Sequence, residues 1–335
     1  MARRRVRGHR FVLSGVPEFD LIDRLQDRIA APLSARGAAC AVGIGDDGAV
    51  LDVPAGRQLV VCTDTLNDGV HFPRDTAPQA LGHKALAVNL SDLAAMGAEP
   101  AWFFLNLSLP REDAAWLDGF ADGMGDLASD AGILLAGGDT TSGPLSVTVT
   151  ALGLVEPGRA LLRSGAGAGD RIVVSGTPGR AARALEMIGR DEDPGAGLRA
   201  ALDRPRPRLA LGRALRGLAT SCIDVSDGLL ADLGHILERS ALGAEVFVDA
   251  LPADEALASL EPAHRWSLQL AGGDDYELCF TIGSEDERRL SVLAAELGLA
   301  LTVIGRVTTG GDLRVLQPGG EIFVPERVGY QHFSG

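Results

Sequence analysis

The sequence predicts an α/β chain built as α+β layers in two domains. Strand-like and helix-like segments recur through all 335 residues without strict β-α-β alternation. The length suits roughly two domains of about 150 residues each. The pattern also breaks at Glu156-Pro157-Gly158, a strong turn signal between two apolar strands. These observations divide the chain into an arginine-rich start over 1–15, expected to be disordered, a first domain over 16–156 and a second over 157–335.

The elements follow from hydrophobic periodicity. Phe19, Ile22, Leu25 and Ile29 share one face of an amphipathic helix over 18–30. A strand over 59–62 leads into Thr63-Asp64. Residues 78–96 form a long apolar helix, with Ala85, Asn89 and Asp92 making a stripe along one side. A strand over 101–109, a helix over 112–131, a short strand over 133–136 ending at Gly137-Gly138 and a strand over 145–154 complete the first domain. The second opens with a glycine-rich turn over 163–169 and a strand over 171–175. Helices over 179–189 and 208–220, a strand over 222–225 and a helix over 228–240 follow. The chain closes with a strand over 278–282, a helix over 285–297 and a strand over 301–307.

Composition narrows the function. The chain is 46% hydrophobic and 23% charged, with a formal net charge of -14. That balance disfavours a nucleic-acid partner, which requires basic surface. No apolar run reaches the ~20 residues of a membrane helix. The four cysteines, Cys40, Cys62, Cys222 and Cys279, are scattered, so neither a structural zinc site nor a disulfide framework is expected, and the compartment is expected to be a reducing cytoplasm.

The chemistry lies in aspartates set among glycine, serine and threonine: Asp46-Asp47, Asp64, Asp92, Asp139, Asp224 with Asp227, and Asp274-Asp275. One such motif is ordinarily a turn or a cap. Six together imply hard oxygen ligands for several Mg²⁺ ions, and those imply a polyphosphate nucleotide. No phosphate-loop or dinucleotide fingerprint is present, so phosphates must be held by another route, which several Mg²⁺ ions on an aspartate cluster would supply. Thr63 offers an oxygen beside Asp64. Asp92 is an unusual residue for the middle of an apolar helix. Asp224, Ser226 and Asp227 precede a helix whose free N–H groups and dipole would favour an anion. Arg163 beside a glycine-rich turn suits a phosphate partner, as does His71. No Ser/His/Asp triad or activated cysteine stands out, which leaves phosphoryl transfer by positioning and charge neutralisation.

The stretches Gly43-Ile44-Gly45-Asp46-Asp47, Lys84 through Ala98, Gly137-Gly138-Asp139-Thr140-Thr141, Asp224 through Leu229 and Gly272 through Leu278 together resemble the thiamine-monophosphate kinase family. That family lies within the aminoimidazole-ribonucleotide synthetase-like ATP-binding superfamily. The resemblance implies an N-terminal domain that dimerises through its sheet, a C-terminal α/β domain, and a cleft between them for ATP and several Mg²⁺ ions. It implies direct in-line transfer from ATP to thiamine monophosphate, giving thiamine diphosphate. Carried over motif by motif, Asp47, Asp64, Asp92, Asp139, Asp224 and Asp227 would ligate Mg²⁺, helped by Cys62 and Thr63. Arg163, Ser226, Gly138 and Asp139 would contact ATP. His71, Asp274 and Tyr330 would contact the substrate, with Phe333 the alternative aromatic. The competing readings are another ATP-dependent enzyme of the superfamily and a non-catalytic nucleotide- or metal-binding dimer.

Overall fold

The computed structural model describes Leu25, Arg28, Ile29 and residues 39–331. The arginine-rich start and Phe333 lie outside the described residues, as does most of the helix expected over 18–30. Its Leu25 and Ile29 are described, and both are helical and buried in the core.

Four strands form the first sheet: β3 (Gln58–Asn67), β4 (Glu99–Leu109), β5 (Leu134–Ser142) and β6 (Ser146–Val155), in the order β3-β6-β4-β5. β4 and β5 run parallel, and the other pairs are antiparallel. Helices Pro78–Ala95 and Ala114–Ala131 cover one face. Side chains alternate across a strand. Phe103, Leu105, Leu107 and Val149 therefore join the helix-covered core, while Thr65 and Thr148 meet on the other face through their hydroxyls at 2.8 Å. A small hairpin of β1 (Ala39–Val42) and β2 (Val50–Asp52) packs on that second face beside Trp102, Leu152 and Leu154.

The helix Pro78–Ala95 is buried on nearly every side, as an all-round apolar sequence requires. It can approach its neighbour closely because Gly82 and Gly123 meet at the crossing. A Cβ on Gly82 would stand 1.9 Å from the Phe120 carbonyl oxygen, and one on Gly123 would stand 1.9 Å from that of Gln79.

The second sheet has six strands: β7 (Arg171–Ser175), β8 (Ala219–Val225), β9 (Gly243–Phe247), β10 (Glu277–Ile282), β11 (Leu301–Thr308) and β12 (Leu313–Leu316), in the order β12-β9-β11-β7-β10-β8. One face packs on helix Leu229–Ser240. The other packs on helices Leu209–Leu215 and Glu287–Leu297, and its core includes Ala94 and Ala95 from the long helix of the first half. Gly212 sits against that helix end, where a Cβ would lie 2.0 Å from the Ala94 carbonyl oxygen. The long helix thus belongs to both cores and fixes one sheet against the other.

Several expected boundaries change. β3 continues to Asn67, so Asp64 lies inside a strand and not at its end. β5 continues through Gly137-Gly138 to Ser142, which places Asp139 mid-strand as well. A bulge opposite Phe103/Phe104 leaves Ala136 as the extra residue and puts Gly137 and Gly138 in register with Phe104 and Leu105. Gly138 adopts φ 150°, and a Cβ there would stand 1.9 Å from the Leu105 carbonyl oxygen. The glycines are thus explained by pairing with β4. The helix expected over 208–220 ends at Leu215, because the chain must turn at Arg216-Gly217 to enter β8. Helices Gly195–Asp203 and Pro262–Ala271 and strands β1, β2, β9 and β12 were not foreseen; all are short.

Candidate active site

A cavity of about 820 Å³ lies where the edge strand β3 and the long helix meet the ends of β8 and β10. Four of the carboxylates that line it come from four different local contexts. Asp64 comes from β3, Asp92 from the last turn of helix Pro78–Ala95, Asp224 from the end of β8, and Asp227 from the turn before helix Leu229–Ser240. Thr63, His71, Ser226, Asp274 and Tyr330 line the same cavity.

These acids crowd one another. Burial, then the charges of Asp224 and Asp64, push Asp92 up to about 8. Burial, opposed by the hydroxyl of Ser91, pushes Asp224 up to about 6. Burial and the nearby Asp227 raise Asp64, whose carboxyl is hydrogen-bonded to that of Asp92. Carboxyls gathered this closely hold protons unless a cation neutralises them. Among the described residues no group of three or more His, Cys, Asp or Glu side chains is already drawn to metal-ligating distance. The donor set is nonetheless all hard oxygen, which fits Mg²⁺ better than a softer metal.

The surroundings hold these groups in place. Ser91 Oγ donates to Asp224 Oδ2 at 2.7 Å. Lys84, 1% exposed, pairs with Asp274 Oδ2 at 3.2 Å and donates to the His71 carbonyl at 3.2 Å. One buried ammonium therefore ties together the segments carrying two of the expected substrate residues. The Asn67 N–H donates to His71 Nδ1 at 2.9 Å. With Nδ1 accepting, the neutral ring carries its proton on Nε2, which makes that nitrogen the donor of the ring. Asp274 (φ 66°) and Tyr276 (φ 51°) are both non-glycine residues in the left-handed region, and the Tyr276 hydroxyl donates to Asp274 Oδ1 at 3.0 Å. Strained backbone of this kind persists where the surroundings over-determine it.

The turn at Asp224-Val225-Ser226-Asp227-Gly228 differs from expectation. Its N–H groups are not free for an anion. Asp232, in the first turn of helix Leu229–Ser240, reaches back and accepts from the N–H of Ser226 (3.0 Å), Asp227 (3.1 Å) and Gly228 (3.1 Å) with one oxygen. Phosphate at this corner therefore cannot use these three N–H groups. Burial, then Asp224 and Asp227, raises Asp232 to about 7. The Tyr330 N–H closes the other side by donating to the Asp227 carbonyl at 2.8 Å. Asp232→Ala is expected to weaken Mg²⁺ binding by about 10–100-fold, the usual cost of losing a group that orients a ligand. Titrating Mg²⁺ against the melting temperature of each protein checks this.

Other expected residues stand apart from the cavity. Asp139 is in register with Asn106, which pairs in turn with Thr148, so it lies on the sheet face opposite Asp64. Asp47 is in the exposed turn between β1 and β2, where its N–H donates to Asp46. Thr63 does line the cavity, but its hydroxyl bonds the Val149 carbonyl and Thr150. Burial pushes the Cys62 thiol up, and its Sγ donates to the Asn89 carbonyl at 3.3 Å, so the side chain is a neutral donor near Asp64 and Asp92. Arg163 and Gly138 do not line the cavity, although the charge of Arg163 reaches Asp92 and Asp224. Sequence reasoning passed over Lys84 and Asp232, which do line up with this site. The available signals were a lysine in an apolar helix and an acid in a helix first turn.

Residues 45–155 match the family description "AIR synthase related protein, N-terminal domain", and residues 167–317 match the corresponding C-terminal domain. The two domains are those of an AIR synthase related protein. Thiamine-monophosphate kinase of Escherichia coli (strain K12) is 46% identical over 326 residues, covering 95% of this chain and 98% of that one. The crystal structure of thiamine-monophosphate kinase from Stenotrophomonas maltophilia K279a superposes with a TM-score of 0.83 at 49% identity, over 89% of this chain and 96% of that one. AaThiL complexed with AMPPCP and TMP gives a TM-score of 0.74 at 28% identity, over 97% of this chain and all (100%) of that one. The chain belongs to the thiamine-monophosphate kinase family.

Proposed function

We propose that this chain transfers the γ-phosphoryl group of ATP directly to the phosphate of thiamine monophosphate, giving ADP and thiamine diphosphate. The observation that carries the reading is the shared cavity. Carboxylates from both halves meet there with His71, Asp274 and Tyr330. The similar solved complex holds an ATP analogue and TMP together.

Asp64, Asp92, Asp224 and Asp227 would hold Mg²⁺. Bound there, Mg²⁺ would supply positive charge to offset the repulsion between two phosphates and the charge developing in transfer. His71 donates from Nε2 to a substrate phosphate oxygen. Lys84 keeps His71 and Asp274 in fixed relation, and Asp232 keeps Ser226 and Asp227 so. Arg163 adds a positive charge on the nucleotide side. No side chain need act as base, because a phosphate oxygen is already a nucleophile at neutral pH. The protein's contribution is alignment of two anions in a restricted space. The parts of Asp47, Asp139, Gly138, Cys62 and Thr63 rest on the resemblance.

The part of the first sheet's second face along β3 supports a homodimer. Leu59 and Val61 are 42% and 59% exposed on β3, beside a row of threonines. A second copy on this face would remove apolar surface that monomers rarely leave open. Light scattering after size exclusion tests it. The unpaired thiols of Cys40, Cys62, Cys222 and Cys279 support a reducing compartment.

The decisive assay follows ADP and thiamine diphosphate with ATP, Mg²⁺ and thiamine monophosphate. Product is expected only with metal, and EDTA is expected to abolish it. ATP binding without thiamine diphosphate formation would overturn the reading in favour of another superfamily reaction.

A further inference from the structure

We propose that Glu186 and His264 form the subsite that recognises the aminopyrimidine end of the phosphorylated substrate. The inference rests on the reaction proposed above and adds a recognition site to it. Helices Arg180–Ile188 and Pro262–Ala271 supply a wall of the cavity that carries none of the metal-binding acids. Ala182, Leu185, Leu268 and Ala271 give that wall an aliphatic surface. Glu186 and His264 break it with polar groups, and both line the cavity.

The pair is pre-organised. His264 Nε2 lies 2.9 Å from Glu186 Oε1. Arg183 donates to Glu186 Oε2 at 2.6 Å, and Arg190 donates to Oε1 at 2.6 Å. Burial works against ionisation of Glu186, but Arg183, His264 and Arg190 outweigh it and hold the group below the usual glutamate range. The result is a fixed, ionised acceptor at the edge of an aliphatic surface. A flat heteroaromatic ring with an exocyclic amine fits that chemistry: the ring lies on the aliphatic side chains and the amine donates to the carboxylate. The acidic region of the same cavity takes the phosphate through metal, so one elongated ligand can use both.

Adenine has the same amine chemistry. Of the residues assigned to the nucleotide, Arg163, Gly138 and Asp139 do not line this cavity, and Ser226 lines it beside Asp224 and Asp227 and not on the helical wall of Glu186 and His264, which favours the other substrate there.

The test uses steady-state kinetics on the full chain with Mg²⁺, comparing wild type, Glu186→Gln and His264→Gln. Each enzyme is assayed with thiamine monophosphate and with a phosphorylated hydroxyethylthiazole fragment that lacks the pyrimidine. KM for thiamine monophosphate is expected to rise about tenfold or more in the variants, the loss expected for a hydrogen bond to a charged group. KM for ATP is expected to stay within about twofold, and the variants should match wild type on the fragment. An unchanged KM for thiamine monophosphate overturns the subsite. So does a rise confined to KM for ATP, which would place adenine there. An equal loss on both acceptors together with a lower melting temperature also overturns it, because that is the signature of a helix clamp. Wild type that binds ATP but makes no thiamine diphosphate overturns the reaction and the subsite with it. Wild-type turnover with indifferent variants overturns the subsite alone.

Discussion

Asp92→Asn is expected to lower turnover by about 10³-fold or more while raising the melting temperature of the metal-free protein. The two effects share one cause. Asp92 sits in a helix buried on nearly every side, and burial together with Asp224 and Asp64 pushes its carboxyl up to about 8. An asparagine of similar shape removes that repulsion, so the fold gains about 0.5–2 kcal/mol, the usual scale when a destabilised active-site group is relieved. It also removes a charge that would hold metal. Loss of metal-derived stabilisation of several kcal/mol corresponds to roughly three powers of ten in rate.

The pH dependence follows with a definite sign. Asp92, Asp224 and Asp232 have folded-state values of about 8, 6 and 7, all above the ordinary carboxyl range. The folded state therefore keeps protons that the unfolded chain has released. Stability is greatest below about pH 4 on account of these groups, and it falls as pH rises towards 8. Melting curves of the metal-free protein at pH 5 and pH 8 should show that fall. Mg²⁺ should reduce it, and Asp92→Asn should make it shallower. A variant that keeps normal turnover, or that is less stable than wild type without metal, would sink the assignment.

The second large effect is structural. Gly82→Ala is expected to destabilise the fold by about 1–3 kcal/mol, although alanine is the better helix former by about 1 kcal/mol. The added Cβ would stand 1.9 Å from the Phe120 carbonyl oxygen. That atom is backbone, so no rotamer change relieves the clash and the two helices must separate. Gly234 provides the control. It lies inside helix Leu229–Ser240, and a Cβ there would meet nothing within 4 Å. Gly234→Ala is therefore expected to be neutral or stabilising by up to about 1 kcal/mol. Chemical denaturation of both variants separates contact from propensity. Equal effects would mean the helix crossing is looser than its glycines indicate.

The sequence by itself determined the local chemistry. Periodicity located the long helix within a residue of Pro78–Ala95 and the strand Arg171–Ser175 at its observed bounds, because apolar spacing and turn residues act over a few positions. The aspartates were visible for the same reason: an acid within an apolar helical segment is anomalous wherever that helix packs. Tertiary structure decided which of these residues meet. Strand pairing put Asp64 and Asp139 on opposite faces of one sheet, since a side chain's face depends on register and bulges that no local pattern specifies. The ties from Lys84 to Asp274 and from Ser91 to Asp224 join residues far apart in the chain. The three N–H groups before helix Leu229–Ser240, which the sequence left available to an anion, were taken by Asp232 because that helix turns its own carboxylate back over them. Residue type is written position by position, whereas proximity, burial and repulsion arise only when distant segments pack together.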